Sequence, residues 1–145
     1  MKILLIFIWI YMAMIAMGFW EAYVEGRNPW DRRKLGCKIK FGKYVLTGYH
    51  FFLFVIMLPL LFSLPLIIYG WDLKLFGILL SAYFSGTVIE DFTWFLVNPA
   101  VSIKKDFNPR FASYYPWLKI GKFQIPLSYP LEILIALLSW YFIWG

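Results

Sequence analysis

A chain of 145 residues that is 62% hydrophobic, 23% aromatic and only 15% charged, with a mean hydropathy of +0.70, is too apolar for a water-soluble domain of this size. The formal net charge is +6, and a single cysteine, Cys37, excludes an internal disulfide framework and a cysteine-based metal cluster. These values place the chain among integral membrane proteins, as one membrane domain over residues 1–145.

In chain order, four apolar segments stand out: 3–20, about 49–70, about 73–97 and about 126–144. Crossing a bilayer core takes roughly 20 residues, which the first three satisfy. The fourth is interrupted by Pro126 and Pro130 and is short if it begins at Pro130. A second reading of the first segment is a signal peptide, with Lys2, an apolar core and Ala16-x-Gly18 near its end, although Glu21 and Glu25 make poor flanks for one.

Basic residues fall into two loops. Arg27, Arg32, Arg33, Lys34, Lys38, Lys40 and Lys43 follow the first segment, and Lys104, Lys105, Arg110, Lys119 and Lys122 follow the third; only Lys2 and Lys74 lie elsewhere. Lys and Arg in short loops are retained on the cytoplasmic side, so a cell-membrane, multi-pass chain is expected, with both long loops cytoplasmic and both termini outside. The loops suit anionic lipid head groups, and nucleic acid is a poor partner for them.

The two halves, about 1–70 and 71–145, can be laid over one another. FWEAYVEGRNPW (19–30) against IEDFTWFLVNPA (89–100) places Glu21 on Asp91 and Asn28-Pro29 on Asn98-Pro99. KIKFGKYVLTGYHFF (38–52) against WLKIGKFQIPLSYPLEI (117–133) repeats a Gly-Lys pair between apolar runs. The match is short and gapped; a true duplication of this sense is a parallel repeat of two helical hairpins. The expected fold is therefore an all-α bundle of four transmembrane helices. The Gly-Lys elements are read as short β-hairpins at the membrane interface, or alternatively as amphipathic interfacial segments.

At 100° per residue, Thr87, Glu90, Asp91, Trp94 and Asn98 share one arc of the third segment, while Phe84, Val88, Phe92 and Phe95 share the other. A charge facing lipid costs several kcal/mol, so the acids are expected to face protein or a water-filled cavity. Gly77, Ser81 and Ser85 form a row of small residues that allows close helix packing.

Glu21 at the end of the first segment, and His50 and Glu132 at the starts of the second and fourth, come to the same level as Glu90 and Asp91. Ordinary roles exist for several: a helix-dipole carboxylate at Glu132, pairing of Glu21 and Glu25 with Arg27 or Arg32, and a Thr47 cap beside His50. The chemical reading assigns Glu90 and Asp91 as catalytic acid–base groups and His50, Glu90, Asp91 and Glu21 as ligands of a divalent cation, whether Mg, Mn, Fe or Zn. Asn98, Glu132 and Thr87 complete the polar site, with Trp20, Trp30, Trp94, Tyr49, Tyr115 and Trp117 around it.

Three functions fit these residues: a cation-dependent enzyme acting on lipid head groups, a proton or cation transporter or channel component, and a non-catalytic subunit of a membrane complex or homo-oligomer. The ion-moving reading needs a polar path, yet Phe76, Leu79 and Leu80 interrupt the stripe before Asp72. HExxH, Glu-x-x-His, G-x-S-x-G and Walker A patterns are missing.

Overall fold

The structure, a computed structural model, describes residues 2–30 and 36–144. Arg32, Arg33 and Lys34 of the first basic loop, and any pairing of Arg32 with Glu21 or Glu25, lie outside the described residues. The chain is mostly helical. Three helices are long and apolar enough to cross a membrane: α1 (Lys2–Glu25), α2 (Gly48–Tyr69) and α3 (Leu73–Val97). A fourth, α4 (Ser128–Ile143), is apolar but shorter. It starts before Pro130, because a proline in the first turn gives up only an N–H that has no partner there.

The ends of these helices follow local chemistry. Asp72 caps α3 by accepting the Leu75 N–H at 2.6 Å. At the other end Asn98 stops the helix just ahead of Pro99, whose ring excludes a helical conformation at the preceding residue. Within α2, residues Phe51–Met57 are wound as a π-helix, and the Leu58 N–H reaches the Leu53 carbonyl five residues back. Pro59 follows at once; it has no N–H to give and its ring collides with the carbonyl four residues earlier, so the preceding turn widens to accommodate it.

Both Gly-Lys elements are antiparallel β-hairpins. Strands β1 (Lys38–Phe41) and β2 (Tyr44–Thr47) pair with Lys38 opposite Thr47, and β3 (Trp117–Ile120) and β4 (Phe123–Pro126) pair with Trp117 opposite Pro126. Each turn has two residues, with Gly42 at φ +58° or Gly121 at φ +60° in first place and a lysine second. That is the pattern of a type II′ turn, whose first central position needs glycine. The Gly48 N–H donates to the Cys37 carbonyl at 2.7 Å, fastening the first hairpin to the start of α2.

Helix α3 is the centre, and α1, α2 and α4 each pack on it. Small residues set the spacing. A methyl group at Gly18 of α1 would lie 2.8 Å from the Glu90 carbonyl, and one at Gly77 of α3 would lie 2.7 Å from Ile143. Ser85 Oγ is 2.8 Å from Tyr11 Oη, so the small-residue row carries close α1 and α4 contacts as expected. The division of α3 into a polar and an apolar arc holds less well: Phe84 lines the same cavity as Glu90, and Phe95 is buried at the loop end. A helix contacted by three others buries residues around most of its circumference.

Two apolar clusters result. Ile10, Met14, Leu53, Leu58, Leu79 and Ala82 form one between α1, α2 and α3. Ala22, Trp94, Phe95 and Ala112 form the other, where the 98–116 loop folds back over the ends of α1 and α3.

Candidate functional site

Between these clusters a cavity of about 330 Å³ is lined by residues from α1, α2, α3, α4 and the loops. Glu21, His50, Thr87, Glu90, Asp91 and Glu132 all line it, as do Glu25, Trp30, Trp94, Tyr114 and Tyr115. Six of the seven polar residues expected from the sequence thus come together. Asn98 is placed elsewhere: its Nδ2 donates to the Gly26 carbonyl at 2.7 Å and its Oδ1 accepts the Ala100 N–H at 2.9 Å. It ties the end of α1 to the end of α3.

His50 is held from several sides. Thr47 caps α2 by accepting the His50 N–H at 3.5 Å, and its Oγ1 lies 2.6 Å from Nδ1. The Trp30 ring stacks on the imidazole at 3.9 Å between centroids and 8° between planes, and Tyr49 meets it edge-on at 5.0 Å. His50 Nε2 lies 3.5 Å from Glu25 Oε1. Glu21, Glu25 and His50 each offer a ligand atom, and these atoms all fall within 4.8 Å of one another. Glu21 and Glu25 share a face of α1 because they are four residues apart.

This grouping differs from the expected ligand set of His50, Glu90, Asp91 and Glu21. Glu25 joins it, while Glu90 and Asp91 are not part of the described close group. Adjacent residues diverge by 100° on a helix, and here the divergence separates the two acids. Glu90 turns toward α1, where it lies beside Glu21. Asp91 turns toward α4, where its Oδ2 accepts the Tyr129 hydroxyl at 2.5 Å. Nearby, Thr87 donates to Glu132 Oε2 at 3.1 Å, so Glu132 belongs to the cavity wall as well as to the first turns of α4.

Trp94 Nε1, buried at this cavity on a residue 3% exposed, has no hydrogen-bond partner among the described residues; Glu90 Oε1 and Tyr115 Oη have none of ordinary geometry either, but lie beside Glu21 and Tyr114. Leaving a buried donor such as the Trp94 N–H unpaired costs about 1–3 kcal/mol. Tyr114 and Tyr115, from the loop that covers the cavity, both have phenols raised far above the ordinary value by burial and by the charge of Asp91. Both therefore remain protonated at neutral pH.

Arg27 is directed away from Glu21 and Glu25. It forms a salt bridge to Asp106 at 2.9 Å, donates to the Ala100 carbonyl at 2.7 Å and lies over the Phe111 ring. These contacts hold the 98–116 loop over the site. Asp106 in turn is kept below the ordinary carboxylate range by the Ser102 backbone N–H, by Arg27 and by Lys105. Comparison of the chain with family models, with curated proteins and with solved structures found no match.

Proposed function

We propose that the chain is a cation-dependent membrane enzyme acting on polar head groups of membrane amphiphiles. The observation that carries this reading is the Glu21–Glu25–His50 group at the wall of a cavity that the buried Glu90 carboxyl also lines. Two ligands on a tetrahedral ion at about 2.1 Å sit roughly 3.4 Å apart, close to the 3.5 Å between His50 Nε2 and Glu25 Oε1. A metal at Nε2 requires the proton on Nδ1, and Thr47 Oγ1, 2.6 Å from Nδ1, is placed to accept it in that tautomer. The donor set of one imidazole and two carboxylates suits Zn or Mn.

When held by Glu21, Glu25 and His50, the cation would supply charge that polarises a phosphoryl oxygen and a water molecule. Glu90 is the general base. In hydrolysis, water gives a proton to Glu90 Oε1 while its oxygen bonds to the ester phosphorus. The bond from phosphorus to the leaving alkoxide breaks, and the alkoxide takes the proton from Glu90. Asp91 and Glu132, engaged by Tyr129 and Thr87, are positioning residues of the far wall.

The fold that frames this site is read as a four-helix bundle of two parallel repeats. Three residues beyond the last strand residue of each hairpin stand His50 and Tyr129. Each meets an acid of the long helix in its own half, Glu25 and Asp91 respectively. The basic loops lie at the end of the helices where the site lies, which the cytoplasmic reading makes the inner leaflet. Ion movement has less support, since the apolar cluster around Leu53, Leu58, Leu79 and Ala82 lies beyond the cavity.

The test is head-group release. Protein in nanodiscs of phosphatidylglycerol and phosphatidylethanolamine, supplied with Mn²⁺, is expected to release soluble head group. Glu90→Gln is expected to lose release while keeping Mn²⁺. No release from either lipid with Mn²⁺ bound would overturn the enzymatic reading.

A further inference from the structure

Building on that reading of the site, we infer that the substrate enters sideways from the bilayer, through a gap between α2 and α4. It lies with its head group toward the loop end of the helices and its chain toward the membrane centre. The cavity runs in this direction. By helix count Glu25, His50 and Glu21 lie nearest the loop end, Asp91, Phe54, Glu90 and Val55 lie about 10 Å in, and Thr87 and Phe84 lie deepest. Val55 is seven residues into α2 and Phe84 thirteen residues before the end of α3, which puts the inner part of the cavity about 10–20 Å from the loop end. That depth is within the hydrocarbon of one leaflet.

The gap follows from how the helices pack. Both α2 and α4 rest on α3, but they make at most slight contact with each other. Phe84 and Thr87 of α3 form the floor of the space between them, and Val55 at its edge is 50% exposed. In a bilayer the solvent at this edge is lipid chain. A cavity of about 330 Å³ is at the small end of ligand sites, enough for a head group and the start of a chain. The remainder of the chain then stays in the gap and the surrounding bilayer.

The head group has a matching donor. The Trp94 N–H is buried in the cavity wall with no partner among the described residues, and it can only donate. A phosphate or ester oxygen of an amphiphile satisfies it, and a cationic or purely apolar ligand does not. Trp94 is four residues along α3 from Glu90, one turn nearer the loop end, so the oxygen it binds lies on the head-group side.

Photo-crosslinking tests this directly. The full chain is placed in nanodiscs containing a phosphatidylglycerol with a diazirine in its chain, and Mn²⁺ binding is measured on the same preparation. Labelling is expected to concentrate on Phe54, Val55 and Phe84 above the level at Trp9 on the outer face of α1. In Val55→Trp, labelling of Phe84 is expected to fall to the Trp9 level while Mn²⁺ stays bound. The wild-type labelling map needs no substitution and stands if that variant does not fold. Labelling of Phe84 no greater than that of Trp9, with Mn²⁺ bound, overturns lateral entry alone. Absence of Mn²⁺ instead overturns the reading of the site. Binding of a soluble glycerophosphodiester without lipid labelling also counts against entry from the bilayer.

Discussion

Replacing Gly18 by alanine tests the contact that sets α1 against the site. The added Cβ would lie 2.8 Å from the Glu90 backbone oxygen and 3.0 Å from Thr93 Cβ. Ordinary carbon-to-oxygen contacts begin near 3.3 Å, so the helices must separate by roughly 0.5 Å at this point. A backbone carbonyl within a central helix cannot rotate aside, and overpacking of this kind costs about 1–3 kcal/mol. Gly86→Ala is the internal control. Its Cβ would meet Met14 Cγ at 2.9 Å, a similarly short contact, but with a flexible side chain that can change rotamer. Thermal unfolding in detergent is expected to show a clear drop in Tm for Gly18→Ala, of roughly 2–10 °C, and a smaller one for Gly86→Ala. A Gly86→Ala loss equal to or greater than that of Gly18→Ala would refute the claim that the α1–α3 approach is fixed by backbone contact at Glu90.

Three other outcomes follow from the same geometry. Thr47→Val removes both the helix cap and the Nδ1 partner of His50, so it should cost about 1 kcal/mol of stability and weaken cation binding by roughly 10–100-fold, with Thr47→Ser restoring both; calorimetric titration with Mn²⁺ reads the second effect. Asn98→Ala leaves the Gly26 carbonyl without its donor and is expected to destabilise by about 1–3 kcal/mol, seen as earlier unfolding in detergent, with cation affinity preserved. Because Asp106 is held below its ordinary 3.8, its ionised form stabilises the loop above that value, and the contribution disappears as the pH falls through the lowered folded value. Wild type should therefore melt above Asp106→Asn at pH 7, with the difference shrinking once the pH is taken below 3.8.

Much of the framework can be read from residue patterns, because helices long and apolar enough to cross a membrane are marked by hydropathy alone. The Asn98-Pro99 stop, the Thr47 cap and the turns at Gly42 and Gly121 each rest on chemistry contained within a few residues. The site is only partly legible for a corresponding reason. Glu25 and His50 are separated by a loop and a hairpin, and nothing local in either residue announces the other. Glu25 has a weak signal in its four-residue spacing from Glu21, which also fits an ordinary surface pair. Trp94 and Phe95 became a buried pair only because Phe107, Phe111 and Trp117 fold back over them, a long-range event invisible to a helical wheel. The separate directions of Glu90 and Asp91 were implicit in helical geometry, but which neighbour each would meet depended on the helix arrangement.

The most direct measurement is metal content and affinity in purified protein, wild type against Glu25→Gln and His50→Ala. Glu90→Gln serves as the comparison outside the close group. One Mn²⁺ or Zn²⁺ per chain in wild type is predicted, lost in Glu25→Gln and His50→Ala and retained in Glu90→Gln, with all four proteins folded by circular dichroism. Stoichiometric binding that survives both Glu25→Gln and His50→Ala, or no binding by folded wild type, would contradict a cation site at Glu21, Glu25 and His50.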